Sequence, residues 1–207
     1  MENIDEEIRI LPADIKYLDS YSDTINSVSK EGKYLSTSKG FSNESLRRFI
    51  TDCAAKGYPA FFVVNEKDEA VGWCDIVERE SDGVRTGSIG VGLRKDYRGA
   101  GIGRLLINRT LEAAVNFGFE RIVLEVRKSN EHARHVYEQL NFVYDDDPDS
   151  MEDIDGEKTP VKHMHIDLVT YETEEDGEQP TKRFPYALFV CGGCIIGAVI
   201  AILCIIL

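Results

Sequence analysis

The stretch Arg98-Gly99-Ala100-Gly101-Ile102-Gly103 sets three glycines and an alanine between an apolar run and a helix-like repeat. At a helix mouth several backbone N–H groups lack an intrachain acceptor, and the helix dipole adds partial positive charge. Small residues there let an anion approach those groups closely. Arg98 and Arg104 can add full charges at the rim. The stretch therefore reads as an anion cradle, and three kinds of cradle differ in spacing. A dinucleotide loop wants G-x-G-x-x-G in a parallel βαβ unit, with an acid about 20 residues on. Here the order is R-G-x-G-x-G after a strand expected to be antiparallel. A P-loop needs Gly-Lys-Ser/Thr, and none follows. The third kind is the pyrophosphate loop of a coenzyme A binder.

Downstream, Asn130 to Phe142 reads NEHARHVYEQLNF. With the glycine loop it resembles the two signature regions of the GNAT superfamily of N-acetyltransferases. Arg98, Gly101 and Gly103 fall on the fixed positions of R/Q-x-x-G-x-G/A, and Asn130, Ala133, Tyr137 and Phe142 on those of N-x-x-A-x-x-x-Y-x-x-x-x-F. Leu124-Glu125-Val126 also resembles the family's strand between them. The resemblance spans about Ile8 to Val169. It implies an acetyl-CoA-dependent transfer to a primary amine, by direct attack in a ternary complex and without a metal. It also implies a bulge in the strand before the loop, which parts two strands and leaves a gap for the pantetheine arm. Backbone groups around Val91 and Leu93 would line that arm. Gly99, Ala100, Gly101, Ile102, Gly103, Arg98 and Arg104 would hold the diphosphate. Asn130 would touch the pantetheine or cap its helix. Tyr137, a phenol with an ordinary pKa near 10, would protonate the departing thiolate.

The base departs from the resemblance. Many GNAT proteins place a Glu on the strand before the loop, and Thr86–Arg94 has no carboxylate. Asp75 on the neighbouring strand is the nearest substitute, followed by Glu78 and Glu125. The alternative for Asp75 is an ion pair at a strand edge. The alternative for the whole chain is a GNAT module that binds coenzyme A or a protein partner without turnover. His163 and His165 share a strand face two residues apart, without the third ligand a metal would need.

The elements that must position these groups follow from periodicity. Ile8–Leu11 is a short strand. Asp14 to about Lys30 and Asn43–Lys56 have helical spacing, the second opened by Ser42. Pro59–Val64 and Ala70–Val77 form a hairpin about Asn65–Glu69, and Thr86–Arg94 is a third, glycine-rich strand. The helix entered at the glycine loop stops at Gly118. Arg121–Val126 is a strand, Asn130–Leu140 a helix ended by Asn141, and Phe142–Tyr144 and Val161–Val169 a closing pair. Asp145–Glu157 holds eight acids and no base, and reads as a solvated loop. The predicted fold is α/β, a mixed, mostly antiparallel GNAT-type sheet with helices on both faces.

The 207 residues carry a formal charge of -13, which excludes a phosphate-driven nucleic-acid binder and suits a cationic acceptor. Cys53 and Cys74 read as buried thiols, and no disulfide framework is implied. The predicted organisation is a catalytic domain over 1–169, an acidic tether over 170–183 and a transmembrane helix over 184–207. Those last 24 residues carry no charge, and at about 1.5 Å per residue they span a bilayer core of about 30 Å. Lys182 and Arg183 before the run favour a cytoplasmic flank, hence a single-pass, tail-anchored protein with its domain in the cytoplasm. Gly193 and Gly197 form a GxxxG pair that can seat a second helix and so a homodimer.

Overall fold

A computed structural model describes residues 7–81 and 83–168. Strand β1 (Arg9–Pro12) leads through a 3-10 turn, whose Asp14 carboxylate accepts from Lys16 N–H, into helix α1 (Leu18–Lys30). Leu18, Tyr21, Ile25 and Val28 of α1 recur at helical spacing and are buried. Helix α2 (Asn43–Lys56) begins where the Ser42 hydroxyl accepts from Ser45 N–H and ends on left-handed Gly57. Strands β2 (Ala60–Val64), β3 (Ala70–Arg79) and β4 (Thr86–Leu93) follow as an antiparallel meander. Helix α3 (Ile102–Phe117) stops at Gly118, with φ +91°. Strand β5 (Arg121–Arg127), helix α4 (Glu131–Gln139), and strands β6 (Val143–Ile154) and β7 (Glu157–Asp167) complete the order. Asn141 takes φ +64° after α4, as a left-handed terminator.

The seven strands lie in the order β1-β2-β3-β4-β5-β7-β6, antiparallel except for β4 and β5. One face buries Tyr17, Leu18, Tyr21, Ile25, Leu46, Ile50, Phe62 and Trp73 beneath α1 and α2. The other buries Cys74, Ile76, Leu106, Ile107, Phe119, Ile122 and Met164 beneath α3 and α4. The expected α/β architecture with helices on both faces is thus present.

Two expectations are corrected. The acidic segment 145–157 is a β-hairpin rather than a loop. Strands β6 and β7 pair as far as Ile154–Glu157, and Asp155-Gly156 makes the turn. Its acids are compatible with a strand because β6 is the outer edge, where charge deters further pairing. Pro148 falls in the register shift between Tyr144 and Asp149, where a ladder donor is not required. Nor is there a bulge in β4. Its register with β3 runs unbroken from Gly72–Leu93 to Arg79–Thr86. The strands part all the same, because β4 pairs with β5 only at Thr86, Gly87 and Ser88.

The predicted tether 170–183 and transmembrane helix 184–207 lie outside the described residues. Among the described residues, no helix is long and apolar enough to cross a membrane.

Candidate active site

The gap between β4 and β5 is the centre of the site. Beyond Ser88 and Val123 both strands continue, to Leu93 and Arg127, without pairing. The β5-facing backbone edge of Ile89 to Leu93 therefore has no partner strand, while the opposite edge stays on β3. A backbone edge so exposed is a ready acceptor of an extended chain carrying amide groups. Val91 and Leu93 lie on this edge, half-buried, and their side chains pack against the α3–α4 core.

The glycines of β4 permit close approach. A methyl group on Gly92 would overlap the Trp73 ring, and one on Gly87 would overlap Ile76. The position a Gly90 side chain would occupy lies 3.3 Å from a carboxylate oxygen of Asp75. Gly90 thus leaves the β4 surface bare and lets the β3 carboxylate reach across it.

The β4 strand leads into the anion cradle. Gly99 and Gly101 take φ +83° and +77°, with nothing within 4 Å of where a Cβ would stand, so glycine is required there by backbone conformation rather than by crowding. Helix α3 opens at Gly101 with no side-chain cap and no acid in its first turn. Its first internal bonds run from Arg104 N–H and Leu105 N–H to Gly101 O. The N–H groups of Gly99, Ala100, Gly101, Ile102 and Gly103 find no acceptor among the described residues. Five free donors thus gather at the positive end of the helix dipole. That arrangement fits a diphosphate. Arg104 is exposed beside them.

Arg98 is placed differently from Arg104. Its guanidinium makes a two-point bridge to Glu31 (2.9 and 2.6 Å), its Nε donates to Leu93 O (2.9 Å), and it lies over the Tyr34 ring. Its charge is thus shared with α1's end rather than free at the rim. Asn130 caps α4, its side chain accepting from Ala133 N–H at 3.3 Å.

Tyr137 and Asp75 stand on opposite faces of the sheet. Tyr137 packs against the α3–α4 core, its ring edge-on to Phe142 at 5.7 Å. Burial raises its phenol above the ordinary value, so it holds its proton at neutral pH. Asp75 shares a cavity beneath α1 and α2 with Tyr21, Phe49, Cys53 and Trp73. Among the described residues no hydrogen-bond donor or cation pairs with it, and burial alone pushes its carboxyl up to about 7. The strand-edge ion pair that would otherwise explain Asp75 is not formed among these residues. The two groups therefore approach the sheet from opposite sides.

Asp75 belongs to a transverse row. It stands opposite Gly90, Ser88 stands opposite Val123, and Glu125 opposite His163. Gly90 and Glu125, two residues past the last β4–β5 pair, are therefore at one level, on one face. Glu125 is held by Arg79 at 3.1 Å, and His163 meets Ser150 Oγ at 2.7 Å. Glu78 is on the other face, with Tyr58 and Arg85. His165 pairs with Asp145 at 2.6 Å. The row could be suspected from alternation within each strand, but not its assembly across four strands. Glu31, Tyr34 and Arg127, which hold the segment between α1 and α2, carried no signal in sequence.

Comparison with known proteins bears on this arrangement. The chain is 39% identical over 75 residues to a mycothiol acetyltransferase of Corynebacterium efficiens, covering 36% of this chain and 25% of that one. It spans at most about a quarter of the length of the curated relatives it matches. A GNAT-family acetyltransferase from Streptococcus pneumoniae superposes with TM-score 0.70 at 23% identity, over 79% of this chain and all of that one. A GNAT-superfamily phosphinothricin acetyltransferase from Sinorhizobium meliloti, solved with acetyl-CoA, gives 0.69 at 15%, over 79% of this chain and 88% of that one. These likenesses establish the fold. Residues 29–142, more than half of the chain, match the model of the acetyltransferase (GNAT) family, and the chain belongs to that family.

Proposed function

We propose that this chain is an N-acetyltransferase that passes an acetyl group from acetyl-CoA directly to an amine. The observation that carries the reading is the unpaired β4 edge running straight into five free N–H groups at the α3 mouth. An extended amide-bearing arm ending in a diphosphate matches that sequence of donors and acceptors. Acetyl-CoA supplies the activated thioester. Val91 and Leu93 offer backbone groups to the arm, the residues from Gly99 to Gly103 hold the diphosphate, and Arg104 adds charge at the rim. Asn130 fixes the start of α4, the helix that carries Tyr137.

An amine arrives as an ammonium and must lose a proton before it attacks. Asp75, raised to about 7 with no partner among the described residues, takes that proton near neutral pH. Glu125, level with it across the gap, is already held by Arg79, which leaves Asp75 as the carboxylate to receive the incoming cation. A protonated Tyr137 on the other face gives its proton to the leaving sulfur. Backbone N–H groups of the β4 edge stabilise the oxyanion, and orientation in the gap supplies much of the rate.

The absence of a carboxylate on β4 favours a second reading, a module that binds coenzyme A without turnover. The reach of Asp75 over Gly90 favours catalysis. Free thiol released from acetyl-CoA, followed with spermidine and with an alanyl-terminated peptide as acceptors, separates the two. Amine-dependent release is expected. Binding of acetyl-CoA with no release above the amine-free rate, across acceptors, would leave the second reading.

The uncharged run 184–207 supports a single membrane span joined to the domain by the acidic segment 170–183. Lys182 and Arg183 support a cytoplasmic domain, and Gly193 and Gly197 support a paired helix.

A further inference from the structure

The segment from Glu31 to Ser42, between α1 and α2, is tied down from three directions. At its start, Glu31 takes the two-point bridge from Arg98, and the Tyr34 ring lies beneath the same guanidinium at 4.8 Å. In its middle, Arg127 donates to Gly32 O (2.8 Å) and Leu35 O (2.6 Å) from the end of β5, beside the gap. Toward its end, Asp155 of the β6–β7 turn accepts from the hydroxyls of Thr37 (2.9 Å) and Ser38 (2.7 Å). The segment therefore runs from the anion cradle, past the open end of the gap, to the far hairpin.

The first tie is the one that reaches the cradle. Arg98 is the first residue of the cradle, and its Nε also holds Leu93 O, the last residue of the unpaired β4 edge. The main chain of Arg98 and the Leu93 carbonyl it holds thus both lie in the proposed acetyl-CoA contact. The Arg98 and Glu31 side chains are each 27% exposed, so the bridge is sheltered enough to transmit position. Such a fork–fork contact is geometrically demanding, and a lysine cannot reproduce it.

We propose that Arg98 is a positioning residue that couples the coenzyme A cradle to the 31–42 segment through Glu31, so that cofactor binding orders that segment. This rests on the functional reading above. Coupling of this kind requires that the cofactor favour the ordered arrangement over the open one. A diphosphate on the Gly99–Gly103 amides and an arm along Leu93 do so by fixing the Arg98 main chain and the Leu93 carbonyl it holds. The segment carries its own reporters, because Lys33 and Lys39 are exposed within it.

The test is limited trypsin digestion of the full chain with and without coenzyme A, reading cleavage after Lys33 and Lys39 by mass spectrometry. Coenzyme A affinity and thermal stability are measured alongside. In the wild type, saturating coenzyme A is expected to slow both cleavages by about tenfold. In Glu31→Gln, which lies outside the cradle, protection is expected to fall below about twofold, with coenzyme A affinity kept within about threefold; Arg98→Lys, which keeps a charge but not the fork, should lose protection to the same extent. Glu31→Asp should give intermediate protection. Wild-type coenzyme A binding without protection, or equal protection in both variants, would overturn the coupling while leaving the functional reading intact. Failure of the wild type to bind coenzyme A would remove the functional reading, and the coupling with it.

Discussion

Replacing Asp75 by Asn should stabilise the protein at alkaline pH while removing its activity. Burial raises the Asp75 carboxyl from 3.8 to about 7. A tenfold change in a proton equilibrium is worth 1.36 kcal/mol, so ionising this group in the folded protein costs up to about 4 kcal/mol relative to the unfolded chain. The sign follows from which state holds the proton. Between pH 3.8 and 7 the folded state keeps a proton that the unfolded state releases. Stability from this group is therefore complete below about 3.8 and is lost as pH rises through 7. Asparagine keeps the shape and has no charge to bury. The 4 kcal/mol is a ceiling, because Asp75 is only half-buried and water in the cleft screens the charge. In a domain of this size it corresponds to about 10 °C in melting temperature. Thermal unfolding of both proteins by circular dichroism, at pH 4 and pH 8.5, reads the effect. The two should melt together at pH 4 and separate by several degrees at pH 8.5, the variant higher. A difference independent of pH would show that the Asp75 charge is not strained by its setting, and would withdraw it as the base.

Tyr137→Phe should lower kcat by at least about a hundredfold with little change in melting temperature, since no hydrogen bond to its hydroxyl is made among the described residues. Steady-state kinetics beside a thermal melt checks this. Gly101→Ala should cost about 1 kcal/mol, because φ is +77° with no crowding around the site, and should weaken coenzyme A binding measured by calorimetry. Removing residues 184–207 should move the protein from the membrane pellet to the supernatant on fractionation, and continued pelleting would count against a span there.

The helices and the meander were legible because their signals are local. Ser42, Gly118 and Asn141 mark helix ends by capping chemistry that acts within a few residues. The anion cradle was legible for the same reason. The β6–β7 hairpin was not, because eight acids in thirteen residues mask an alternation that only edge position makes tolerable. The gap was expected from a bulge, yet it arises without one. Strand divergence is a property of two segments more than thirty residues apart, and glycine content in β4 reports contacts with Trp73, Ile76 and Asp75 instead. Arg98 illustrates the limit most clearly. Its motif position suggests a phosphate contact, while its partner, Glu31, lies 67 residues away.

The central claim is that a diphosphate settles on the free amides at the mouth of α3. Nuclear magnetic resonance titration of the isotope-labelled protein with coenzyme A tests it directly. The expected result is saturable shifts and slowed exchange at the amides of Gly99, Ala100, Gly101 and Gly103, with further shifts along Val91 and Leu93. Shifts absent from these residues at saturating coenzyme A, or concentrated elsewhere on the sheet, would contradict it.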